Sequence, residues 1–367
     1  MKYTLRQLSL LLLLVTPAFA QQITFNSCHG PGKSIQVVNG LPYVEVQVGQ
    51  SKGLFLIDFG TTGSTIDPKG FTSGPQPSPV AGSQNSFADF DFYGSWGTVK
   101  LDIQDHSNIE GVKQAGIIGT DFLSLNAYTI DFTNRKIYRS DSPVCLTNIL
   151  KTEGFVPVSS VGYYSNDLNN LQSCAFNIPT VPVRIGRIQA VAQMDPGFDD
   201  RLYRHSININ KAYFDALQSS GIKLVRFPTA DLKLTTCTGS AEEVQAYKLP
   251  PNSSFEIIDA VGNGILRTGD AILFLKSPSV DIQKCGGIGT WKIPAAQIGA
   301  SFMVDTKSIM IDPFNSTVWI QSNPGETSRY QMQQKTQMQA SDQTQQIGPR
   351  QMPPRQEVQQ QTTIRNR

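Results

Sequence analysis

The sequence is poor in the residues that many enzymes use as catalytic groups or metal ligands. Only three of its 367 residues are histidines, His29, His106 and His205, and none belongs to a recognisable nucleophile motif. No paired-histidine or Cys-x-x-Cys spacing occurs, and the glycine-rich signatures of nucleotide-binding loops are missing. A hydrolase with a Ser-His or Cys-His pair, a metalloenzyme and a nucleotide-dependent enzyme are therefore not expected. We predict no metal and no cofactor.

The sequence also has few long apolar runs and no large excess of charge of one sign. The apolar run within residues 1–20 follows Lys2 and Arg6 and ends in a small-residue cleavage site (AFA, 18–20), as in a secretory signal peptide too short to span a bilayer. Its removal takes away two of 31 basic residues and leaves 29 of each sign, so nucleic acid is not an expected partner. We predict an exported protein, periplasmic or extracellular, without a membrane span.

Cysteine is rare but informative, because all five cysteines lie beyond the predicted signal peptide. An oxidising compartment favours disulfides, and an odd number leaves at least one thiol unpaired or shared with another chain. The preferred pair is Cys237 with Cys285, since both fall in one predicted lobe. The cysteines are Cys28, Cys145, Cys174, Cys237 and Cys285.

What the sequence does contain is one pattern written twice. Residues 46–49 (VQVG) precede Asp58 by the same distance as residues 183–186 (VRIG) precede Asp195, and a glycine follows two residues after each aspartate. Internal repetition fixes the architecture, so we predict two repeated lobes with a cleft that brings Asp58 and Asp195 together. The two repeats end alike, at residues 130–134 (IDFTN) and 311–315 (IDPFN).

Most of the regular structure should be β. Residues 41–48 alternate in part between apolar and polar, and residues 53–57 form a short apolar run that leads directly into Asp58, as a buried strand would. Helical patterns are sparse, and the better candidates are residues 119–125 and 211–219. Many short strands with turn residues between them predict a mainly β fold. Further strands are predicted at residues 98–103, 128–132 and 135–138.

Two aspartates facing each other across a cleft form a chemical reagent. Like charges close together cannot both ionise, so one pKa rises and the pair holds a single proton. The ionised member can then take a proton from a trapped water while the protonated member polarises a carbonyl. Asp58 and Asp195 are thus candidates for the hydrolysis of a carbonyl compound.

These segments resemble those of the aspartic proteases, both retropepsin-like and pepsin-like. Residues 55–64 (FLIDFGTTGS) are similar to the family's hydrophobic-hydrophobic-Asp-Thr-Gly-Ser/Ala turn, and residues 115–123 (AGIIGTDFL) to its later Ile-Ile-Gly segment. Residues 193–199 (QMDPGFD) and 297–302 (QIGASF) occupy the same places in the second repeat. The resemblance covers roughly residues 36–321 and implies a bilobal, aspartic-protease-like double β-barrel.

The resemblance also implies roles for individual residues. In the family a β-hairpin flap closes over the substrate and carries a tyrosine, and residues 91–98 (DFYGSWGT) look like that flap. The implied roles are catalytic for Asp58 and Asp195, substrate-binding for Gly60, Thr61, Tyr93 and Gly197, and structural for Phe59, Pro196, Gly119 and Gly299.

Two departures from the family pattern concern the catalytic turns. Phe59 and Pro196 stand where the family has threonines whose hydroxyls cross-link the turns, and proline also lacks a backbone N–H. An apolar contact between Phe59 and Pro196 is the expected substitute. Thr61 could still hydrogen-bond the Asp58 carboxylate, whereas Phe198, in the equivalent place, cannot.

The predicted function is that of a secreted, monomeric aspartic endopeptidase that acts on a peptide or protein substrate. One alternative is a catalytically inactive pseudoprotease that binds peptides or protein partners in the cleft. Another is a surface or envelope interaction protein whose tail contacts the partner. The predicted segments are a signal peptide (1–20), an N-terminal lobe (21–150), an inter-lobe linker (151–173), a C-terminal lobe (174–321) and a Gln-rich disordered tail (322–367).

Overall fold

The computed structural model describes residues 27–107, 109, 111–140, 145, 147–160, 178–198, 203, 205–235, 241–276 and 287–322. Within them the protein is mainly β, as predicted, with large sheets. Residues 27–160 are called the N-terminal half below and residues 178–322 the C-terminal half. The predicted signal peptide, residues 161–173 of the predicted linker, the preferred Cys237–Cys285 pair, and the predicted tail beyond residue 322 lie outside the described residues.

The N-terminal half contributes twelve of the strands described. They are β1 (Gly32–Val38), β2 (Leu41–Val48), β3 (Ser51–Ile57), β4 (Thr65–Ile66), β5 (Ser86–Phe87), β6 (Phe90–Asp91), β7 (Val99–Lys100), β8 (Asp102–Ile103), β9 (Gln114–Ile118), β10 (Ala127–Asp131), β11 (Lys136–Ser140) and β12 (Val156–Ser159).

The C-terminal half contributes twelve more. They are β13 (Thr180–Ile185), β14 (Ile188–Met194), β15 (Ser206–Asn210), β16 (Val225–Arg226), β17 (Leu232–Thr235), β18 (Ala241–Lys248), β19 (Phe255–Ile258), β20 (Gly264–Thr268), β21 (Ile272–Lys276), β22 (Ala295–Ile298), β23 (Thr306–Asp312) and β24 (Thr317–Ser322).

Helices are few and short in the described residues. The α-helices are α1 (Thr120–Leu123), α2 (Thr147–Thr152), α3 (Lys211–Ser219) and α4 (Ala300–Val304). Short 3-10 helices lie at Ser27–His29, Pro68–Gly70, Pro228–Ala230 and Ile288–Thr290.

Two large sheets carry the fold. The first has twelve strands in the order β12-β24-β23-β10-β11-β1-β2-β3-β9-β4-β8, with β6 beside β2. The second has ten strands, all from the C-terminal half, in the order β16-β18-β21-β15-β22-β14-β13-β19-β20, with β17 beside β18. No closed barrel is found among the described residues, so the double-barrel part of the predicted fold stays a prediction.

The two halves share the first sheet through strand pairing. Strand β23 of the C-terminal half runs antiparallel to β10, with Ile309 opposite Ile130. Strand β24 runs antiparallel to β12, with Val318 opposite Val158. The C-terminal hairpin β23–β24 is therefore held on both sides by strands of the N-terminal half.

The sequence repeat reappears as two parallel strand pairs. In the N-terminal half β3 runs parallel to β9, with Ile57 beside Ile118. In the C-terminal half β14 runs parallel to β22, with Met194 beside Ile298. Each pair ends one residue before an aspartate of the repeat.

Several predicted elements are confirmed and others are displaced. Strand β2 and helix α3 occupy the predicted residues. The strand predicted at residues 98–103 is divided in two at Leu101, a buried residue whose N–H donates to the carbonyl of Asn85 instead of to a ladder partner. Part of the predicted linker is strand β12, because its residues extend the shared sheet.

A disulfide that the sequence did not indicate joins Cys28 to Cys145. It links the segment before β1 to the segment after β11, two strands that lie side by side in the first sheet. In the described part of the chain, no helix has both the length and the apolar character to cross a membrane.

Candidate functional site

The backbone holds Asp58 and Asp195 in the same way. Asp58 follows the last residue of β3, and its N–H donates to the carbonyl of Ile118 on the parallel strand β9 at 3.0 Å. Asp195 follows the last residue of β14, and its N–H donates to the carbonyl of Ile298 on β22 at 2.9 Å. Each aspartate is thus anchored to a buried parallel strand pair, as expected of a side chain that must be held rigidly.

Each aspartate also closes its own turn. Oδ1 of Asp58 accepts a hydrogen bond from the N–H of Gly60 at 2.7 Å. Oδ1 of Asp195 accepts one from the N–H of Gly197 at 3.0 Å. The carboxylates are therefore oriented by their own backbones, with the second oxygen of each left for other partners.

The two turns interlock through their glycines. A Cβ added to Gly60 would lie 2.2 Å from Cγ of Asp195, and a Cβ added to Gly197 would lie 2.4 Å from Oδ2 of Asp58. Each glycine therefore lies against the carboxylate of the opposite turn, where a larger residue would not fit. The structure brings the predicted pair together, and the close approach accounts for glycine at both positions.

The environment raises the pKa of both carboxyls. Burial raises the pKa of Asp58 well above its usual range, and the neighbouring charge of Asp195 raises it further. Burial also raises the pKa of Asp195, against the effect of hydrogen bonds from Asp58 and Gln297. A pair in this position keeps its last proton to a higher pH than an isolated aspartate would.

Ser64 and Asp121 fasten the first turn to the segment that follows β9. Oγ of Ser64 donates to Oδ1 of Asp121 at 2.6 Å, and the N–H of Ser64 donates to Oδ2 at 3.0 Å. The N–H of Gly119 donates to Oγ of Ser64 at 2.8 Å. This network explains the acidic residue in the first turn of helix α1, and burial raises its pKa.

Gly119 and Gly299, for which a structural role is predicted, each lie close to the backbone of an aspartate turn. A Cβ on Gly119 would lie 2.9 Å from the carbonyl oxygen of Gly63, and a Cβ on Gly299 would lie 1.9 Å from that of Phe198. Both glycines pass directly behind an aspartate turn, so a side chain at either position would push that turn out of place.

Phe59 and Pro196, the middle residues of the two turns, are both buried. The ring of Phe59 packs edge-on against Tyr128, with centroids 6.4 Å apart, and lines a cavity of about 20 Å³ that Ile311 also borders. Pro196 is buried in the second turn. The packing partner established for Phe59 is thus Tyr128 of β10, while its expected contact with Pro196 stays a prediction.

Thr61 does not make the hydrogen bond suggested by the sequence. Its Oγ1 is directed to the carbonyl of Gly63 at 3.5 Å, and its own carbonyl accepts from the N–H of Thr120 at 2.9 Å. The residue therefore links the first turn to helix α1 instead of supporting the carboxylate of Asp58. A substrate contact of Thr61 stays a prediction.

The predicted flap forms a tight hairpin, with the N–H of Trp96 donating to the carbonyl of Phe90 at 2.8 Å. Tyr93 sits in it with a positive φ of 59°. Its buried hydroxyl donates to the carbonyl of Ile137, and its ring packs on Tyr128 with centroids 6.1 Å apart. In this conformation the hydroxyl is engaged by strand β11, and the role of Tyr93 in substrate binding stays a prediction.

Three amide side chains complete the site, and sequence reasoning did not identify them. Nε2 of Gln193 donates to the carbonyl of Gly60 in the opposite half at 3.1 Å. Nε2 of Gln297 donates to Oδ2 of Asp195, and Nδ2 of Asn208 donates to Oε1 of Gln297 at 2.6 Å. The available signal was a glutamine inside an otherwise apolar strand, in AVAQM and in AAQI, since a buried amide needs a partner.

Among the described residues, Cys28, His29 and Cys145 form one group that has suitable atoms to bind a metal ion. The two sulfur atoms are joined in a disulfide and so are not thiolates, which are the form of cysteine that binds metals. This group lies in the disulfide-linked segment and carries no metal-site assignment.

In comparisons with known proteins, no family model matches this chain, and no curated protein matches it at a significant level.

Proposed function

We propose that the protein is an aspartic endopeptidase that hydrolyses peptide bonds with Asp58 and Asp195. The observation that carries the proposal is the interlock of the two turns, in which Gly60 contacts the carboxylate of Asp195 and Gly197 that of Asp58. Two unrelated Asp-x-Gly turns would have no reason to be held by matching strand pairs and to meet face to face. The finer architecture proposed with it is the bilobal double β-barrel of that family.

The chemistry requires one proton on the pair. The ionised carboxylate takes a proton from a water molecule, the water oxygen attacks the peptide carbonyl, and the protonated carboxyl gives its proton to the carbonyl oxygen. The resulting diol collapses as the C–N bond breaks, the amine leaves with a proton, and the pair returns to its singly protonated state. No cofactor takes part in this sequence.

The raised pKa values of the two carboxyls predict the pH range in which the proposed enzyme is active. Below the lower apparent pKa of the pair both carboxyls are protonated and no base is available. Above the upper one both are ionised and no acid is available. We therefore expect a bell-shaped dependence of kcat/KM on pH, with its optimum on the acidic side.

The test is cleavage of a diverse peptide library by the purified mature protein between acidic and neutral pH. Asp58→Asn and Asp195→Asn should each abolish cleavage while preserving cooperative unfolding, and pepstatin should inhibit the parent. The matched control is Asp215→Asn, which removes a carboxylate exposed on helix α3 and paired with Lys211. Retained cleavage in Asp58→Asn would exclude the proposed mechanism.

The second candidate function is a peptide-binding or partner-binding protein with the same fold and no catalytic activity. It is favoured by the directions of the hydroxyl groups near the aspartate pair. Neither Thr61 nor Tyr93 directs its hydroxyl to the carboxylates, and Phe59 has none to offer. In that case folded protein would cleave no peptide at any pH, and peptides would bind without turnover. Export, with residues 1–20 as signal peptide, and a partner for the Gln-rich tail are proposed on the sequence alone.

A further inference from the structure

Three amide side chains lie side by side on the strands that support Asp195. Gln193 on β14 is beside Gln297 on β22, and Gln297 is beside Asn208 on β15. We call this set, Gln193, Gln297 and Asn208, the amide ladder. Gln193 and Asn208 are only 3% and 4% exposed, so their hydrogen bonds lie in a region with little access to water.

The hydrogen bonds of the ladder have a direction. Oε1 of Gln297 accepts from Nδ2 of Asn208, so the NH₂ end of Gln297 is the end that faces Oδ2 of Asp195. An N–H donor stabilises an ionised carboxylate and offers nothing to a protonated carboxyl oxygen that must itself donate. The ladder therefore favours the charged form of Asp195.

The N-terminal half has no such arrangement at the corresponding positions. Ile117 of β9 stands where Gln297 stands in β22, with Leu56 and Thr65 as its neighbours on β3 and β4. An isoleucine donates no hydrogen bond. The hydrogen bond between the two carboxyls raises the pKa of Asp58 and lowers that of Asp195, as it does when Asp58 donates and Asp195 accepts. The repeat is thus symmetric in backbone and asymmetric in the support of its two carboxylates.

We propose that the amide ladder holds the shared proton on Asp58, so that Asp195 is the base that activates water and Asp58 is the acid that protonates the carbonyl. The catalytic meaning of this assignment rests on the proposed function, whereas the location of the proton does not. Gln297 and Asn208 are positioning residues in this scheme, since they act through Asp195.

The proton balance of the step is complete. Asp195 takes a proton from water as the C–O bond to the carbonyl carbon forms, and Asp58 gives its proton to the carbonyl oxygen. In the collapse Asp195 gives its proton to the leaving nitrogen as the C–N bond breaks. In the same collapse one hydroxyl of the diol becomes the C=O of the new carboxyl group and gives its proton to Asp58, which restores the starting state.

The charged environment of Asp195 is simple in the described residues. The titratable group that faces it is Asp58, and its other partners are the amide of Gln297 and backbone N–H groups. Asp199 and Asp200 follow in the chain and lie outside the described residues. Burial raises the pKa of both carboxyls, and backbone N–H groups oppose that effect at both. The two differ in their side-chain hydrogen bonds, which lower the pKa of Asp195 and raise that of Asp58.

The direct test is carbon-13 NMR titration of the aspartate carboxyls in the whole mature protein, with Asp58→Asn and Asp195→Asn used for assignment. We expect Asp195 to ionise at the lower pH. Gln297→Met removes the donor and should raise the lower apparent pKa of the pair by about one pH unit, since a hydrogen bond to a charged group is lost. Asn208→Leu should change it in the same direction by less, because Gln297 remains but is no longer oriented.

The matched control is Gln189→Met, which makes the same replacement at an exposed position on the strand of Asp195 and should leave both carboxyls unchanged. The proposal is overturned if Asp58 ionises first, or if folded Gln297→Met titrates like the parent. An amide with a purely structural role would change stability and leave the titration unaltered.

Activity separates this inference from the proposed function. In an active enzyme, Gln297→Met should move the acidic limb of the kcat profile to higher pH by the same amount as the NMR titration, with little change in KM. If the carboxyls titrate as expected and the parent cleaves no peptide, the endopeptidase proposal fails and the location of the proton stands. If peptides are cleaved and the carboxyls do not titrate as expected, the endopeptidase proposal stands and the location of the proton on Asp58 is wrong.

Discussion

Gly60→Ala is the sharpest probe of the interlocked turns. The added Cβ would lie 2.2 Å from Cγ of Asp195 and 2.4 Å from its Oδ1. Ordinary contact of a Cβ begins at about 3.4 Å, so the carboxylate and the turn must separate by more than 1 Å. A displacement of about 1 Å at reacting groups can cost roughly 100-fold in rate. We therefore expect kcat to fall by about two orders of magnitude.

The same clash should lower stability, because overpacking of a tight contact costs about 1–3 kcal/mol in the free energy of unfolding. The assay is kcat/KM on a peptide identified from the library, together with denaturant unfolding of the same samples. Stability is a readout that does not depend on the protein being an enzyme.

Gly63→Ala is the matched control, since it adds the same methyl group three residues further along the turn. Nothing lies within 4 Å of the Cβ it would create. If Gly60→Ala were as stable and as active as Gly63→Ala, the two turns could not be in the contact described, and the shared site would be refuted.

Two further predictions concern stability. Because the pKa of Asp58 is raised in the folded state, the folded protein holds a proton that the unfolded chain loses near pH 3.9. The contribution of Asp58 to the free energy of unfolding should therefore be greatest below that pH and fall by about 1.4 kcal/mol per unit as pH rises towards the folded-state pKa. Asp58→Asn should remove this part of the pH dependence in denaturant titrations, and an unchanged slope would contradict the raised pKa. Replacing Cys28 and Cys145 by serine opens a link across a separation of 117 residues and should cost about 2–5 kcal/mol; an unchanged denaturation midpoint would count against the bridge.

The elements that the sequence predicted well are those with a local signal. Strand β2 alternates over residues 44–48, where the three valines are buried and Glu45 and Gln47 are exposed. Helix α3 begins after Asn210, whose side chain accepts from the N–H of Tyr213. The aspartate pair was predicted for a related reason, since repetition of a local motif implies repetition of its surroundings.

What could not be predicted depends on which strands become neighbours. The amide ladder joins residues on three strands, and the sequences of these strands do not indicate that they are neighbours in the sheet. The Cys28–Cys145 disulfide arises because β1 and β11 pair, a long-range contact between segments far apart in the chain. Likewise the ring of Phe59 packs on Tyr128 because β10 passes beside the first turn.

The sharing of strands between the halves has a consequence for the order of events during synthesis. Strands β10 and β12 leave the ribosome well before β23 and β24, yet they pair with these last two strands on either side. Until residue 322 has emerged, the earlier half keeps two strand edges without their partners, and such edges can pair with other chains. Translation must therefore run to the end of β24 before both edges are covered, and a chain cut short before residue 306 would be prone to aggregate through the same edges.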